Sequence, residues 1–222
     1  MKLLVTRPEP GASATAKRLE LAGHDPVVMP CLTITHFTPA FPAQIAALLV
    51  TSGQAVPALP SRLHVVPAFC VGDATAAKMR EAGFVCVESA RGTADDLAKL
   101  TIQRGLRGLH VVAVGEGHGL PLLAQLHTSG LKAVRRKVYK SRHRRRLPAE
   151  MKSALTHGRL DGALFYSAET ARAFIALHPP ETARLTAYAL SHAVAKTLEG
   201  LPWRDIRVAV APTEADMMAL LA

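Results

Sequence analysis

The chain has 222 residues, 49% of them apolar, which supplies a buried core and gives no sign of disorder. Its apolar runs, at 3–5, 111–114 and 163–165, are far too short to cross a bilayer. A formal charge of +10 favours a polyanionic partner: nucleic acid, an acidic membrane surface, or a small molecule with many carboxylates.

Taken in chain order, Leu3-Leu4-Val5 reads as a buried strand with no signal-peptide apolar region, so a cytoplasmic location is expected. A polar turn follows over 7–11. A helix runs to Ala22 on a stripe of Ala12, Ala16, Leu19 and Ala22, Gly23 stops it, and a second strand covers 26–29. A longer unit comes next. Its first strand ends in Thr51-Ser52-Gly53-Gln54, where Pro57 and Pro60 should truncate the helix that would otherwise follow. Val71-Gly72-Asp73-Ala74-Thr75-Ala76 leads from a strand into a second helix, and Thr93 caps a third with Asp96 three residues on.

Both units then recur. The short one returns as a strand at 111–114, a turn at 115–119, a helix to about Thr128, a Gly130 stop and a strand at 134–139. The long one returns as Ala163-Leu164-Phe165-Tyr166-Ser167-Ala168-Glu169, then Leu190-Ser191-His192-Ala193-Val194-Ala195, then Thr213 with Asp216. Strands alternating with helices imply parallel sheets covered on both faces. Two partitions fit the order short, long, short, long. Either each consecutive pair is a domain, or the first short unit joins the last long one around a central domain.

Three scattered cysteines, Cys31, Cys70 and Cys86, form no Cys-x-x-Cys pair and read as small buried residues. Ten dispersed histidines give no ligand spacing, so no metal site is expected. Gly115-Glu116-Gly117-His118-Gly119 is neither a dinucleotide fingerprint nor a phosphate-binding P-loop. A tight strand-to-helix turn and a direct ligand contact are both open for it. The basic run 132–146 has one aromatic, Tyr139, and no nucleic-acid reading motif, so it reads as a charged linker surface.

In this order the segments resemble the uroporphyrinogen-III synthase family. The matching residues are Val5-Thr6-Arg7-Pro8, Gly23-His24, Pro30-Cys31-Leu32-Thr33-Ile34, Thr51-Ser52, the Val71–Ala76 turn, Val138-Tyr139, and the tail from Val208 to Ala215. The resemblance implies an α/β fold of two doubly wound parallel-sheet domains joined by a two-stranded linker. The outer domain would comprise 1–33 with 143–222, the central one 38–133, and the linker strands would lie near 32–37 and 133–141. It also implies the reaction: dehydrative cyclisation of hydroxymethylbilane to uroporphyrinogen III with the last pyrrole ring inverted, with no cofactor, by a monomer. A non-catalytic two-domain binder of a small polyanion is the alternative.

The implied substrate, a linear tetrapyrrole, is a flexible polycarboxylate. In doubly wound sheets ligands sit outside the carboxyl ends of the strands. The turns there are expected to face one cleft, with Thr51, Ser52, Gln54, Gly72, Thr75, Gly115, Gly117, Ser167, Ala168, Ser191 and His192 as substrate contacts, mostly through helix N-terminal amides. No membrane or nucleic-acid partner is expected. Tyr139 matches the family's linker tyrosine and is the candidate catalytic residue, donating to the departing hydroxyl.

Overall fold

The apolar runs at 3–5, 48–50, 111–114 and 163–165 all lie in strands of the computed structural model, which describes every residue from Met1 to Ala222. In chain order the elements are β1 (Lys2–Val5), α1 (Gly11–Leu21), β2 (Asp25–Val28), β3 (Leu32–His36), β4 (Ala47–Val50), β5 (Ala68–Cys70), α2 (Asp73–Glu81) and β6 (Val87–Ser89). Then come α3 (Ala94–Arg104), β7 (Leu109–Gly115), α4 (Leu120–Thr128), β8 (Lys132–His143), α5 (Ala149–Thr156) and β9 (Gly162–Phe165). The chain finishes with α6 (Ala168–Ile175), β10 (Thr186–Ala189), α7 (His192–Leu198), β11 (Asp205–Val208) and α8 (Glu214–Ala219). Between β4 and β5 there is no α-helix. Pro57 sits inside a 3-10 turn, Gly53–Ala58, and a second such turn covers Ser61–Leu63. A proline lacks the donor that an α-helical turn needs at that point.

The chain forms two units, Met1–Thr33 with Arg142–Ala222, and Ile34–Ser141. The first holds a sheet of order β11-β10-β9-β1-β2, parallel throughout. The second sheet has the order β3-β8-β7-β4-β5-β6, parallel from β8 to β6. Along β3 and β8 the Phe37 amide donates to the Val138 carbonyl and the Arg144 amide to the Cys31 carbonyl. Rising numbers on one strand therefore meet falling numbers on the other, so this pair is antiparallel. It is also where the chain passes from one unit to the other.

The central strands are buried on both faces, which is why they read as unbroken apolar runs. Leu3 and Val5 pack with Leu164 and Tyr188 on one face of the first sheet, while Leu4 joins Ala163, Phe165 and Ala187 on the other. Leu48 and Val50 likewise pack with Val111 and Ala113, and Leu49 with Val112 and Val114. This alternation is the period-two geometry of a strand. Thr93 caps α3 through a reciprocal capping box with Asp96, and Thr213 caps α8 through the Asp216 amide. One expectation fails: Cys31 and Cys70 are buried, but Cys86 is exposed. It ends the turn before β6, where its carbonyl accepts from the Ala68 amide and its thiol is left outside the packed layer.

Candidate active site

A ligand crevice in such sheets lies where neighbouring strands send their connections in opposite directions. In the second unit that point falls between β4 and β7, since the chain proceeds from β4 through β5 to β6 on one side and from β7 to β8 on the other. The loops leaving it are Thr51–Gln54 and the segment from Glu116 to Gly119. Ser52 is the N-cap of the 3-10 turn, its hydroxyl accepting from the Gln54 amide at 3.2 Å. The Gln54 carbonyl lies 3.0 Å from His36 Nε2. On adjacent β5, Gly72 is the N-cap of α2, and its carbonyl accepts the amides of Thr75 and Ala76. Thr75 itself is only 8% exposed, turned into the helix packing rather than outward.

Across the switch point, Gly115 closes β7, and the amide of Glu116 donates to the Tyr139 carbonyl at 2.8 Å. Gly117 and Gly119 hold φ of +82° and +85°, left-handed values that disfavour a side chain, and Gly119 is the N-cap of α4. Glu116 Oε2 meets Lys140 Nζ at 2.6 Å. Tyr139 is buried in the apolar cluster that includes Ala55, Val56 and Ala113. Thr51, Ser52, Gln54, Gly115 and Gly117 thus lie on loops and strand ends around one switch point, with Gly72 one strand further along on one side and Tyr139, within β8, one strand along on the other.

The first unit has its own group. Ser167 caps α6, accepting from the Thr170 amide at 3.1 Å, with Thr170 Oγ1 at 2.8 Å, and Ala168 is the first helical residue. On the next strand Ser191 is the N-cap of α7, its carbonyl accepting from Val194 and Ala195, and His192 is exposed. These caps offer amides at the ends of β9 and β10.

Sequence reasoning missed the cluster at this unit's switch point, between β1 and β9. Arg7 Nη1 donates to Glu214 Oε2 at 2.8 Å and to Thr15 Oγ1 at 3.1 Å. Glu214 Oε1 accepts from Tyr166 OH at 2.8 Å and from Thr15 at 3.0 Å, and the guanidinium lies 3.9 Å from the Tyr166 ring centroid. Burial, with the Glu214 carboxylate beside it, raises the Tyr166 phenol well above its ordinary range, so it stays a neutral donor. Arg7 and Glu214 each fall in a matched segment, but 207 positions apart, and only the parallel sheet brings them together.

No three His, Cys, Asp or Glu side chains gather as metal ligands. Burial pushes the thiols of Cys31 and Cys70 up to about 12, which rules out both as thiolate nucleophiles near neutrality. No helix is long and apolar enough to cross a membrane.

The family model for uroporphyrinogen-III synthase matches residues 13–219. The chain belongs to the uroporphyrinogen-III synthase family. Among solved structures, it is similar to the uroporphyrinogen-III synthetase of Helicobacter pylori, with a TM-score of 0.66 and 17% identity over 100% of this chain and 98% of that one. A mutant uroporphyrinogen III synthase from the extremely thermophilic bacterium Thermus thermophilus gives a TM-score of 0.59 at 19% identity, over 100% and 97% of the two chains. At those identities the likeness is one of fold. No curated protein sequence matches the chain. Neither Ser52 nor Ser167 has a histidine or aspartate partner that would make it a nucleophile.

Proposed function

We infer that the chain closes hydroxymethylbilane to uroporphyrinogen III, releasing one water and inverting the terminal pyrrole ring. The observation that carries this reading is the family match across nearly the whole chain. In the reaction, the pyrrole nitrogen beside the hydroxymethyl carbon pushes electrons into the ring and the C–O bond breaks. The departing oxygen takes a proton and leaves as water. The resulting azafulvenium carbon is attacked by the substituted carbon of the far ring, giving a spiro intermediate; the original link to that ring breaks, the freed carbon closes on the ring's other α-carbon, and that carbon gives up its proton, balancing the one the water carried off. Because the substrate's own nitrogen expels the hydroxyl, no step asks for a cofactor, and the protein's contribution is orientation.

Eight carboxylates need neutral or positive partners along the chain of rings. The strand-end amides and hydroxyls at Thr51, Ser52, Gln54, Gly72, Gly117, Ser167, Ala168, Ser191 and His192 are assigned that task, and Tyr139 donates a hydrogen bond to the departing hydroxyl. The protein works as a cytoplasmic monomer on a small polycarboxylate, not on nucleic acid. Supplying hydroxymethylbilane and separating the product isomers tests the activity: isomer III is expected, and a ratio unchanged from the spontaneous reaction refutes it. Tyr139→Phe lowers kcat by about 10²-fold if the phenol assists departure; undiminished turnover removes it from the mechanism.

A further inference from the structure

The position of Tyr139 is irregular in a way that assigns a role to its neighbour. Along β8, Val134 and Val138 pack on the face of the sheet that carries Leu48, Val50, Val111 and Ala113, while Ala133 packs on the other face with Val112 and Val114. By alternation Tyr139 belongs with Ala133. Instead it packs in the same cluster as Val138. The pairing with β7 shows why: Val114 is opposite Lys137, but Gly115 is opposite Tyr139, so one extra residue of β8 is inserted between them. This is a β-bulge, and its effect is to turn a side chain from one face to the other.

The re-aimed ring needs space, and Gly115 supplies it. A Cβ at that position would stand 2.7 Å from Tyr139 Cε2 and Cζ and 3.0 Å from its hydroxyl oxygen. Real side chains do not approach so closely, so the ring rests on the bare α-carbon. Strand order places β7 between β8 and β4. A tyrosine turned to this face therefore shares its cluster with Ala55 and Val56, in the turn that Ser52 caps. On the opposite face it would be on the side of α3 and α4, among Leu97, Leu122 and Leu126.

We propose that Gly115 is a positioning residue: it is the seat on which the bulge sets Tyr139, and it acts on the reaction through that phenol rather than by touching substrate. The proposal rests on Tyr139 assisting the departing hydroxyl, and deepens that reading. A direct contact and a seat predict different kinetics. Crowding the Gly115 backbone where a substrate carboxylate binds would raise KM. Displacing the phenol by even part of an ångström lowers kcat and leaves ground-state binding alone.

The test is a cycle of Gly115→Ala with Tyr139→Leu and Tyr139→Phe, each assayed for kcat, KM and thermal midpoint. Gly115→Ala in the native background is expected to lower kcat by at least about tenfold with KM within about twofold, and to lower the midpoint by several degrees. In the Tyr139→Leu background the ring is gone, so the same alanine should leave both midpoint and residual rate unchanged. In the Tyr139→Phe background the ring is still present, and the midpoint should fall as in the native protein. A raised KM with undiminished kcat overturns the proposal, as does a midpoint loss that persists with leucine at 139. Full turnover by Tyr139→Phe alone would remove the phenol from the chemistry, and with it the catalytic half of this proposal. The midpoint cycle would still decide whether the seat exists.

Discussion

Glu214→Ala should destabilise the first unit severely, and the structure sets the scale. The carboxylate accepts from Arg7 Nη1, Thr15 Oγ1 and Tyr166 OH, so its removal strands three donors at once. Arg7 and Glu214 side chains keep only 20% and 26% exposure, so water replaces little of what is lost. A net hydrogen bond contributes about 1 kcal/mol, and one to a charged partner somewhat more. Discounted for the residual exposure, the loss is about 2–4 kcal/mol. Arg18, 3.6 Å from Glu214 but half-exposed, adds little. The only tryptophan, Trp203, packs against Phe165 and Phe174 in the same unit, so its fluorescence during urea or thermal unfolding reports this unit alone. The expected shift is roughly 5–15 °C. Glu214→Gln, which keeps the shape and one acceptor, should fall between. A loss under about 1 kcal/mol, or strict additivity of Glu214→Ala with Tyr166→Phe, would show that these contacts are not coupled and refute the reasoning.

Two further outcomes follow from burial and charge. Of the three cysteines, only Cys86 should react rapidly with an aromatic disulfide reagent in native protein at pH 8, because burial keeps the thiols of Cys31 and Cys70 protonated up to about 12; a second fast thiol would contradict this packing. Arg142, Arg145 and Arg146 are exposed and make no ion pair, whereas Arg135, Arg136 and Arg144 are anchored on the carbonyls of His118, Ala40 and Pro30. Changing the three exposed arginines to glutamine should lower kcat/KM several-fold at low salt, leave kcat unchanged, and lose its effect near about 0.5 M salt, as screening requires. An effect that survives high salt would mean that these side chains hold substrate directly.

What was legible in the sequence follows from what each signal is made of. The parallel strands announced themselves because burial on both faces demands unbroken apolar runs, as at 48–50 and 163–165. The caps were legible because Thr93 and Thr213 act within one helical turn. Pro57 correctly signalled a helix cut to a 3-10 turn. The Arg7–Glu214 pair was not legible, since its partners are brought together only by strand order. Nor was the bulge, because an inserted residue leaves the composition of β8 unchanged and shows only against the register of β7. Gly115 was read as a possible backbone contact because glycine in a strand-end turn usually means that something approaches closely. Here the approaching group is the Tyr139 ring.

The duplication makes the two switch points comparable, and the comparison separates stability from chemistry. Matching the repeated strands pairs Tyr166 with Thr51 and Glu214 with Ala94. Where the first unit places a phenol and a carboxylate, the second places the smaller threonine and an alanine methyl. One switch point is thus closed by its own side chains, while the other carries smaller ones at the matching positions. Exchanging the residues should expose that division. Thr51→Tyr would fill the second switch point, and is expected to abolish most turnover while the far-ultraviolet circular dichroism and the Trp203 transition stay as they were. Tyr166→Thr would cost stability, through the lost bond to Glu214 and the lost ring beneath Arg7, with kcat largely retained below the melting range. If Thr51→Tyr turned over normally while Tyr166→Thr lost kcat, the chemistry would belong to the first unit, and the second switch point would be no more than a loosely filled end of a sheet.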